Sequence, residues 1–541
     1  MSLFDKILAA RGLTDVSADF LLPNYDIKHD PYLLPDMKKA VKRLVQARKN
    51  QDHITIYGDY DIDGLTATAL LIDAFGSFGF EHVEAFIPNR FIEGYGLTID
   101  AIEQIQQSGT HLIVTVDCGS VSYKEVEHAH ALGIDVIVTD HHTMGDVLPP
   151  AVAVVNPKRS DHSYPFIDLA GVGVAFKLVE ALQTELQGLP AGAEKWLLDL
   201  VALGTVCDVV ALLGENRTNV YWGLQVLKRT RRPGLRALMA VAKVDASTLN
   251  SRSLGFALGP RMNASGRLET ARHSLDMLLS ADQEIAMEKA EQLDALNITR
   301  RTDQAKIFKE AIIQADTYID DPVLVVSGVD WNHGIVGIVA AKLLEKYQKP
   351  TYVLQEMGDT TKGSARSYGG FSAVAAIRAA GDIITKGGGH TLAAGITLPT
   401  QNIKALRRHM NSFYASLQLT NQAALLLPKA DVVISDLSDV DEELIRQLEK
   451  LEPFGSGNPE PILKIHNVVV TDQRRMGTDN QHVKLEIQDM TGRRMQVVAF
   501  SAPDYFFAEP GEQITMLFQP TLNEWKGRRS VEGKLLHVER D

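Results

Sequence analysis

Cysteine is nearly missing from this 541-residue chain: Cys118 and Cys207 are the only two, and they lie far apart. Without a Cys-x-x-Cys pair, neither a structural zinc site nor a disulfide framework is expected to organise the fold. Long apolar runs are missing too. None reaches the roughly 18–20 residues that span a bilayer. The opening MSLFDKILAARG puts Asp5 and Lys6 where a secretory leader needs an unbroken apolar stretch. The expectation is a cytoplasmic protein with no membrane partner. Basic excess is also lacking. Fifty-five Lys and Arg against 68 Asp and Glu leave a net charge of −13, which taken alone points away from nucleic acid. There is no internal repeat and no low-complexity tract. What remains is 45% hydrophobic and 23% charged, the balance of ordinary globular domains. The length allows about three or four of them.

The charge is unevenly placed. Residues 462–541 hold 11 basic and 11 acidic side chains, so the first 461 carry the whole deficit. Hydrophobic periodicity divides the chain further. Residues 1–50 read as a helical segment, with Met37, Val41, Leu44 and Val45 on one helical stripe. Short β-rich runs follow at 54–57, 83–88, 112–116, 135–139 and 152–156, alternating with helical stretches at 66–79, 97–109 and 123–133. Strands alternating with helices of this length predict an α/β domain, mostly parallel sheet with helices on both faces, over 51–215. Residues 216–315 read as helical, ending in a breaker-poor run at 281–315 that would make a long connecting helix. A second α/β domain is expected over 316–418 and a linker over 419–461, closed by the Pro/Gly-rich PFGSGNPEP. The short strands and turns of 462–541 suit a small C-terminal β-barrel, with an OB-fold as the leading form.

The chemistry concentrates after the strands. ITIYGDYDIDG (54–64) puts Asp59, Asp61 and Asp63 directly after one of them. The acids open like a calcium EF-hand loop. The twelfth position is Leu70 instead of the required Glu, and the run is entered from a strand, so that reading fails. LIVTVDCG puts Asp117 at the end of the next apolar run, and DVIVTDHHT puts Asp140, His141 and His142 at the end of another. Asp208 in ALGTVCDVVAL is flanked by apolar residues, where a lone carboxylate is costly. Each could be an N-cap or a locally satisfied side chain. Carboxyl ends of parallel strands are where ligands bind, however, and three strands deliver acids or histidines to that one edge. Oxygen and imidazole ligands without thiolate suit manganese or magnesium. Four carboxylates balance two divalent ions, a device for hydrolysing phosphate esters.

GDYDIDG, VDCG, DHH and the later GTVCD, in this order, resemble the DHH phosphoesterases. The resemblance implies that Asp61, Asp63, Asp117, His141 and Asp208 hold two Mn2+ or Mg2+ ions, with Asp117 bridging. It implies that His142 meets the second ion or the reacting phosphate. Many relatives carry a His where this chain has Tyr57, so Asp59 is expected to assist as a ligand.

Further motifs concern the substrate. Arg90 and Tyr95 in IPNRFIEGYGL pair a cation with an aromatic, able to hold a phosphate and stack a base. GPRMNASGRLE supplies Arg261 and Arg267 around Asn263. KGSARSYGG reads as a Gly-rich turn presenting Ser364, Arg366 and Ser367 to an anion, and GGGHTLAAG puts His390 in a flexible loop leading to a helix. GSARS and GGGH resemble the DHHA1 domain. With LAGVGVAFKL, GENR and PFGSGNPEP, these stretches resemble the single-strand-specific exonuclease branch of the DHH/DHHA1 family along nearly the whole chain. That branch implies 5′→3′ degradation of single-stranded DNA to 5′-mononucleotides, in repair and recombination. Single-stranded DNA is then the partner, joined by a single-strand-binding protein and a helicase. Arg90, Ser364 and Arg366 would hold the 5′ phosphate, Tyr95 a base, and Arg261 or Arg267 the scissile phosphate. WNHGIVG departs from the pattern by placing His333 one position late. In the tail, Arg474, Arg475, Arg493, Arg494, Trp525, Lys526, Arg528 and Arg529 are candidate strand contacts. Two rival readings share these motifs: a DHH hydrolase of oligoribonucleotides or cyclic dinucleotides, and a non-catalytic replication scaffold.

Overall fold

The computed structural model describes every residue except Val16, Asn421, Lys526 and Asp541, and only the backbone of Ser17, Ile27, Ala423 and Trp525. Lys526 and the Trp525 side chain, both named above as strand contacts, therefore lie outside the described residues. The chain forms two compact units: residues 1–259, 278–283 and 428–541 in one, 260–277 and 284–427 in the other.

The first unit opens with helices α1 (Leu3–Ala10), α2 (Ser17–Leu21) and α3 (Met37–Asn50). In α1, Ser2 and Asp5 form a reciprocal capping box. Then strands β1 (Ile54–Gly58), β2 (Val83–Phe86), β3 (Leu112–Val116), β4 (Asp135–Thr139) and β5 (Ala153–Val155) build a sheet in the order β2-β1-β3-β4-β5. All four pairings are parallel. β1 and β3 are buried along their whole length, which is why they read as continuous apolar runs and not as alternating ones. Helix α4 (Ile62–Phe78) follows β1, with α5 (Ile99–Gln107) and α6 (Tyr123–Ala131) after β2 and β3. Ile102, Ile105, Val126 and Ala129 of α5 and α6 share a core with Tyr57, Ile113 and Val136. Helix α4 starts at Ile62 and not at the expected 66, because Asp61 caps it, accepting from the Asp63 and Gly64 amides. The strand order reverses direction between β1 and β3. A crevice for ligands forms at the carboxyl edge of such a switch point.

Helices α7 (Gly171–Gln183), α8 (Leu198–Cys207), α9 (Gly214–Leu227) and α10 (Pro233–Val241) follow, with α4 packed against α7 and α8. The short α11 (Ser251–Ser253) runs into a π-helical turn at Leu254–Leu258.

Helices α12 (Gly259–Leu268) and α13 (Arg272–Leu279) lead to the 35-residue α14 (Gln283–Thr317), about 50 Å long at 1.5 Å per residue. The second unit's sheet comprises β6 (Leu324–Gly328), β7 (Thr351–Met357), β8 (Thr360–Arg366), β9 (Lys386–Gly389) and β10 (Ala393–Pro399), ordered β6-β7-β8-β10-β9. Its helices are α15 (His333–Tyr347), α16 (Ala373–Ala379) and α17 (Ile403–Ser416). One face packs on Ile307, Ala311 and Ala315 of α14 with α15, the other on α16 and α17. Two local expectations are corrected here. Ser364 and Arg366 stand on the central strand β8, hydrogen-bonded to β7 and β10, and not in a turn. Gly363 made that segment look turn-like, but its missing Cβ instead admits Leu354, whose Cδ2 lies 2.3 Å from where a Cβ would stand. His390 sits in the tight connection of the β9–β10 hairpin, and no helix follows directly.

The chain then returns to the first unit. Strand β11 (Val432–Ile434) and helix α18 (Glu442–Glu449) lie within 419–461. They precede β12 (Leu463–Met476), β13 (His482–Gln488), β14 (Arg494–Ala499), β15 (Gln513–Trp525) and β16 (Arg528–Glu539). The ladder runs β12-β13-β14-β16-β15, and β15 pairs back with β12, closing a five-stranded barrel. Its core includes Ile434 of β11, Leu444 and Leu448 of α18, and Leu3 and Ile7 of α1. Among the described residues no helix is long and apolar enough to cross a membrane.

Candidate active site

The site is built at the carboxyl edge of the first sheet. Asp59, Asp61 and Asp63 occupy the β1–α4 junction. Asp61 spends one oxygen on capping α4. Asp63 is buried at 1% exposure, and its two oxygens accept from the Gly171 and Val172 amides at 2.6 and 2.8 Å. Those amides are the start of α7, so a helix N-terminus braces the carboxylate. Asp117 follows β3 with φ +61, in the left-handed region. A Cβ on Gly171 would stand 2.6 Å from Asp117 Oδ1, so only glycine fits there. Asp208 caps the end of α8.

His141, from the β4 end, ties these together. Its Nε2 lies 3.1 Å from Asp117 Oδ1, 3.5 Å from Asp208 Oδ2 and 3.8 Å from Asp63 Oδ2. Burial, then the neighbouring His142, lowers its ionisation to about 3, so the ring is neutral. Burial first and the neighbouring acids second raise the enclosed carboxylates. Asp63 rises to about 7 and Asp208 to about 9, with Asp59 and Asp117 also well above the usual range. Asp59 Oδ1, Asp117 Oδ1 and His141 Nε2 are buried without a hydrogen-bond partner. Acceptors facing acceptors are stable only with a proton or a metal ion among them. Three overlapping groups each bring their donor atoms within 4.8 Å: Asp63, His141 and Asp208; Asp59, Asp61 and Asp117; Asp117, His141 and His142. Oxygen and imidazole donors of this kind fit manganese or magnesium. The cysteines are free, burial raises both thiols, and neither belongs to these three groups.

Some of the support was not visible in the motifs. Asp140 is not among the ligand groups. It accepts from the Ser120, His141 and His142 amides and from His142 Nδ1 at 2.8 Å. Burial would raise its ionisation, but the hydrogen bond and charge of His142 outweigh burial and hold it low. The same pair raises His142 against the downward pull of burial. Asn156 donates to Ser120 Oγ and the His142 carbonyl, fixing the turn from behind. The signal for Asp140 was its place in the DHH triplet; Asn156 offered none. Tyr57 packs on Phe86 and donates from Oη to the Gly96 carbonyl at 3.0 Å, bracing the loop that carries Tyr95.

Of the other predicted residues, Arg90 and Tyr95 lie in the same unit as the acids. The Arg90 guanidinium stacks over Tyr60, 4.3 Å from the ring centre, and its buried Nε has no hydrogen-bond partner. Tyr95 is half exposed and its Oη is 3.1 Å from His142 Nδ1. Arg261, Asn263, Arg267, Ser364, Arg366 and His390 belong to the second unit. Arg261 pairs with Asp294 at 2.7 Å, and Arg267 donates to the Gly334 carbonyl. Arg366 donates to Ser364 Oγ at 3.1 Å, and burial lowers its ionisation. His333, displaced by one position, begins α15 and bonds Gln355, while Asn332 takes the N-cap. In the barrel, Arg475 stacks on Phe507, Arg494 reaches Glu486, Arg529 reaches Glu524, and Arg493 donates to the Ser438 carbonyl.

Family models match three stretches: the N-terminal domain of the DHH family at 53–205, the DHHA1 domain at 320–416, and the RecJ OB domain at 431–537. The single-stranded-DNA-specific exonuclease RecJ of Bacillus subtilis is 38% identical over 533 residues, 97% of this chain; the chain spans 66% of that protein's length. Its Escherichia coli counterpart is 35% identical over 92% of this chain and 89% of its own. The crystal structure of RecJ with Mn2+ from Thermus thermophilus superposes with a TM-score of 0.84 at 28% identity, over 99% of this chain and 76% of that one. A manganese-bound exonuclease RecJ gives 0.64 at 32% identity, over 72% and 97% of the two chains.

Proposed function

The chain belongs to the RecJ family of DHH phosphoesterases, the single-stranded-DNA-specific exonucleases, and from that premise we propose that it hydrolyses single-stranded DNA from the 5′ end to 5′-mononucleotides. The observation that carries the reading is the set of buried, unpartnered acceptors at one sheet edge: Asp59 Oδ1, Asp117 Oδ1 and His141 Nε2. Asp63, His141 and Asp208, and Asp59, Asp61 and Asp117, would hold manganese or magnesium ions, which when bound would supply the charge that polarises phosphoryl oxygens and lowers the pKa of a water.

The protein's own groups do the positioning. Asp117 shares one donor group with Asp59 and Asp61 and another with His141 and His142, and a carboxylate has two oxygens to offer where an imidazole nitrogen has one lone pair, which suits it to the bridging role. The α7 amides keep Asp63 in place. Asp140 takes the Nδ1 proton of His142 in a hydrogen bond and favours the charged ring, in which Nε2 also carries a proton and can donate to a phosphate oxygen. Tyr95, against the same histidine, offers a half-exposed ring to a base. Polarity rests on guanidiniums that read a terminal phosphate, which carries an extra charge and an extra free oxygen. Arg366 beside Ser364 is one, and Arg90 on Tyr60 is another. Arg261, Asn263 and Arg267 share α12 and serve the strand near the scissile phosphate. The closed barrel, net neutral in an acidic chain, supplies the strand-tracking surface. A helicase that opens duplex and a protein that coats single strands are the partners such an activity calls for.

The test is a manganese-supplemented assay on end-labelled single strands, duplexes and short oligoribonucleotides. Mononucleotides released from the 5′ end of single-stranded DNA are expected. Equal attack on duplex, or release from the 3′ end, would overturn the proposal.

A further inference from the structure

We propose that His53 and His82, with His111 beside them, form a second metal site for a divalent ion of the zinc class, at the edge of the first sheet opposite the acidic centre. Each histidine stands one residue before a strand: His53 before β1, His82 before β2, His111 before β3. Those strands are adjacent, and the register pairs Ile54 with both Val83 and Leu112. The three histidines therefore share one row. The ladder continues through that row: the Ile54 amide bonds the His82 carbonyl, and the His111 amide bonds the His53 carbonyl, both at 2.9 Å. Side chains in one row of a parallel sheet leave on the same face at the interstrand spacing of about 4.8 Å. The rings follow suit. His53 and His82 stack with centroids 4.4 Å apart and planes at 14°, and His111 lies 5.9 Å from His53.

All three residues are exposed, and among the described residues none of the three rings forms an ion pair. The rings are stacked as they stand, and rotation about their side-chain torsions, with the paired strands left in register, would turn the His53–His82 pair into a two-nitrogen chelate. His111 is held more firmly, because its Nδ1 accepts from the His53 amide at 3.1 Å. It completes the set only by giving up that bond, so the core of the site is the pair, with water filling the remaining positions. Imidazole nitrogens favour zinc, nickel or copper over the oxygen-seeking manganese and magnesium of the acidic centre, so the two sites select different ions. The opposite ends of β1 and β3 carry Asp59 and Asp117. An ion bridging the β1 and β2 starts would staple the scaffold that aims these ligands, and would stabilise the fold by mass action.

The probe is zinc, titrated into the manganese-loaded full chain against a chromophoric zinc chelator. The intact protein and the D117N variant are expected to bind one equivalent that H53Q/H82Q lacks or binds more than about tenfold more weakly, the scale of a lost ligand or its support. H82Q alone, which leaves β1 unaltered, is expected to show the same weakening. H53Q/H82Q should keep its manganese-dependent hydrolysis, which separates this site from the acidic centre whatever the substrate proves to be. Equal zinc stoichiometry and affinity in H53Q/H82Q and the intact protein would overturn the proposal.

Discussion

Replacing Gly171 by alanine tests the centre more sharply than removing a ligand. The added Cβ would stand 2.6 Å from Asp117 Oδ1 and 2.7 Å from Asp117 Cβ, so the carboxylate must retreat by about 0.8 Å to reach ordinary contact near 3.4 Å. The same residue's amide holds Asp63 at 2.6 Å, so both acids are disturbed together. A displacement on the order of 1 Å at reacting groups costs about a hundredfold in rate, close to 2.7 kcal/mol of barrier. Overpacking a buried site costs about 1–3 kcal/mol of stability as well. Gly173, in the same turn of α7, is the control: its added Cβ meets only the Leu169 side chain, at 3.3 Å from Cδ2 and 3.6 Å from Cβ, and no group of the acidic centre. Single-turnover hydrolysis at saturating manganese is expected to fall about a hundredfold in G171A and less than about threefold in G173A. Strand affinity, read by fluorescence anisotropy, should change little in either. If G171A hydrolyses within threefold of the parent, Asp117 does not act from the position seen here.

Asp117→Ala should abolish hydrolysis at saturating manganese, since it removes a donor common to two groups; more than about a tenth of the parent rate would sink the two-ion assignment. Stability should depend on pH in a direction set by the raised acids. Asp63 and Asp208 ionise near 7 and 9 in the cation-free fold against 3.8 ordinarily, so between those values the folded state holds more protons than the unfolded. Chelated protein should therefore lose up to about 1.4 kcal/mol per pH unit for each retained proton as pH rises from 4 toward 9. Manganese should flatten that slope, and identical urea midpoints with and without the ion across this range would refute it. Arg366→Ala should weaken action on 5′-phosphorylated strands by about tenfold to a hundredfold and spare 5′-hydroxyl strands; an equal loss on both would remove Arg366 as an end reader. Deleting 462–541 would strip a core shared with α1 and α18, so Arg474→Ala/Arg528→Ala is the cleaner test of the barrel. It should lower long-strand affinity at low salt and reduce the salt slope by about 2; unchanged binding isotherms would take the barrel face out of the mechanism.

Much of this was legible beforehand, for reasons that differ by element. β1, β3 and β4 announced themselves because a strand covered on both faces must be apolar throughout. The acids after them stood out because polar groups directly following such runs can only lie at the sheet edge. The β8 segment misled because Gly363 signals a turn when read alone, while its real role is to admit Leu354 from a neighbouring strand. The hairpin around His390 misled for a similar reason: glycine-rich sequence does not say whether a partner strand is present.

Residue type and local period were enough to establish the alternation of strands and helices, the acidic and imidazole donors, and their order along the chain. Which donors face one another was left to the packing. The register and the β1–β3 reversal bring Asp63 and Asp117 within 4 Å of His141 although all three are distant in sequence. Packing alone reveals that Gly171 is small for Asp117's sake, that Asp140 braces the turn while His141 faces the other acids, and that three histidines before three strands share one row. Local sequence dictates what each segment prefers to be. The distances between segments arise where elements meet, and there a hydrogen-bond register and the absence of a single Cβ set positions to a fraction of an ångström.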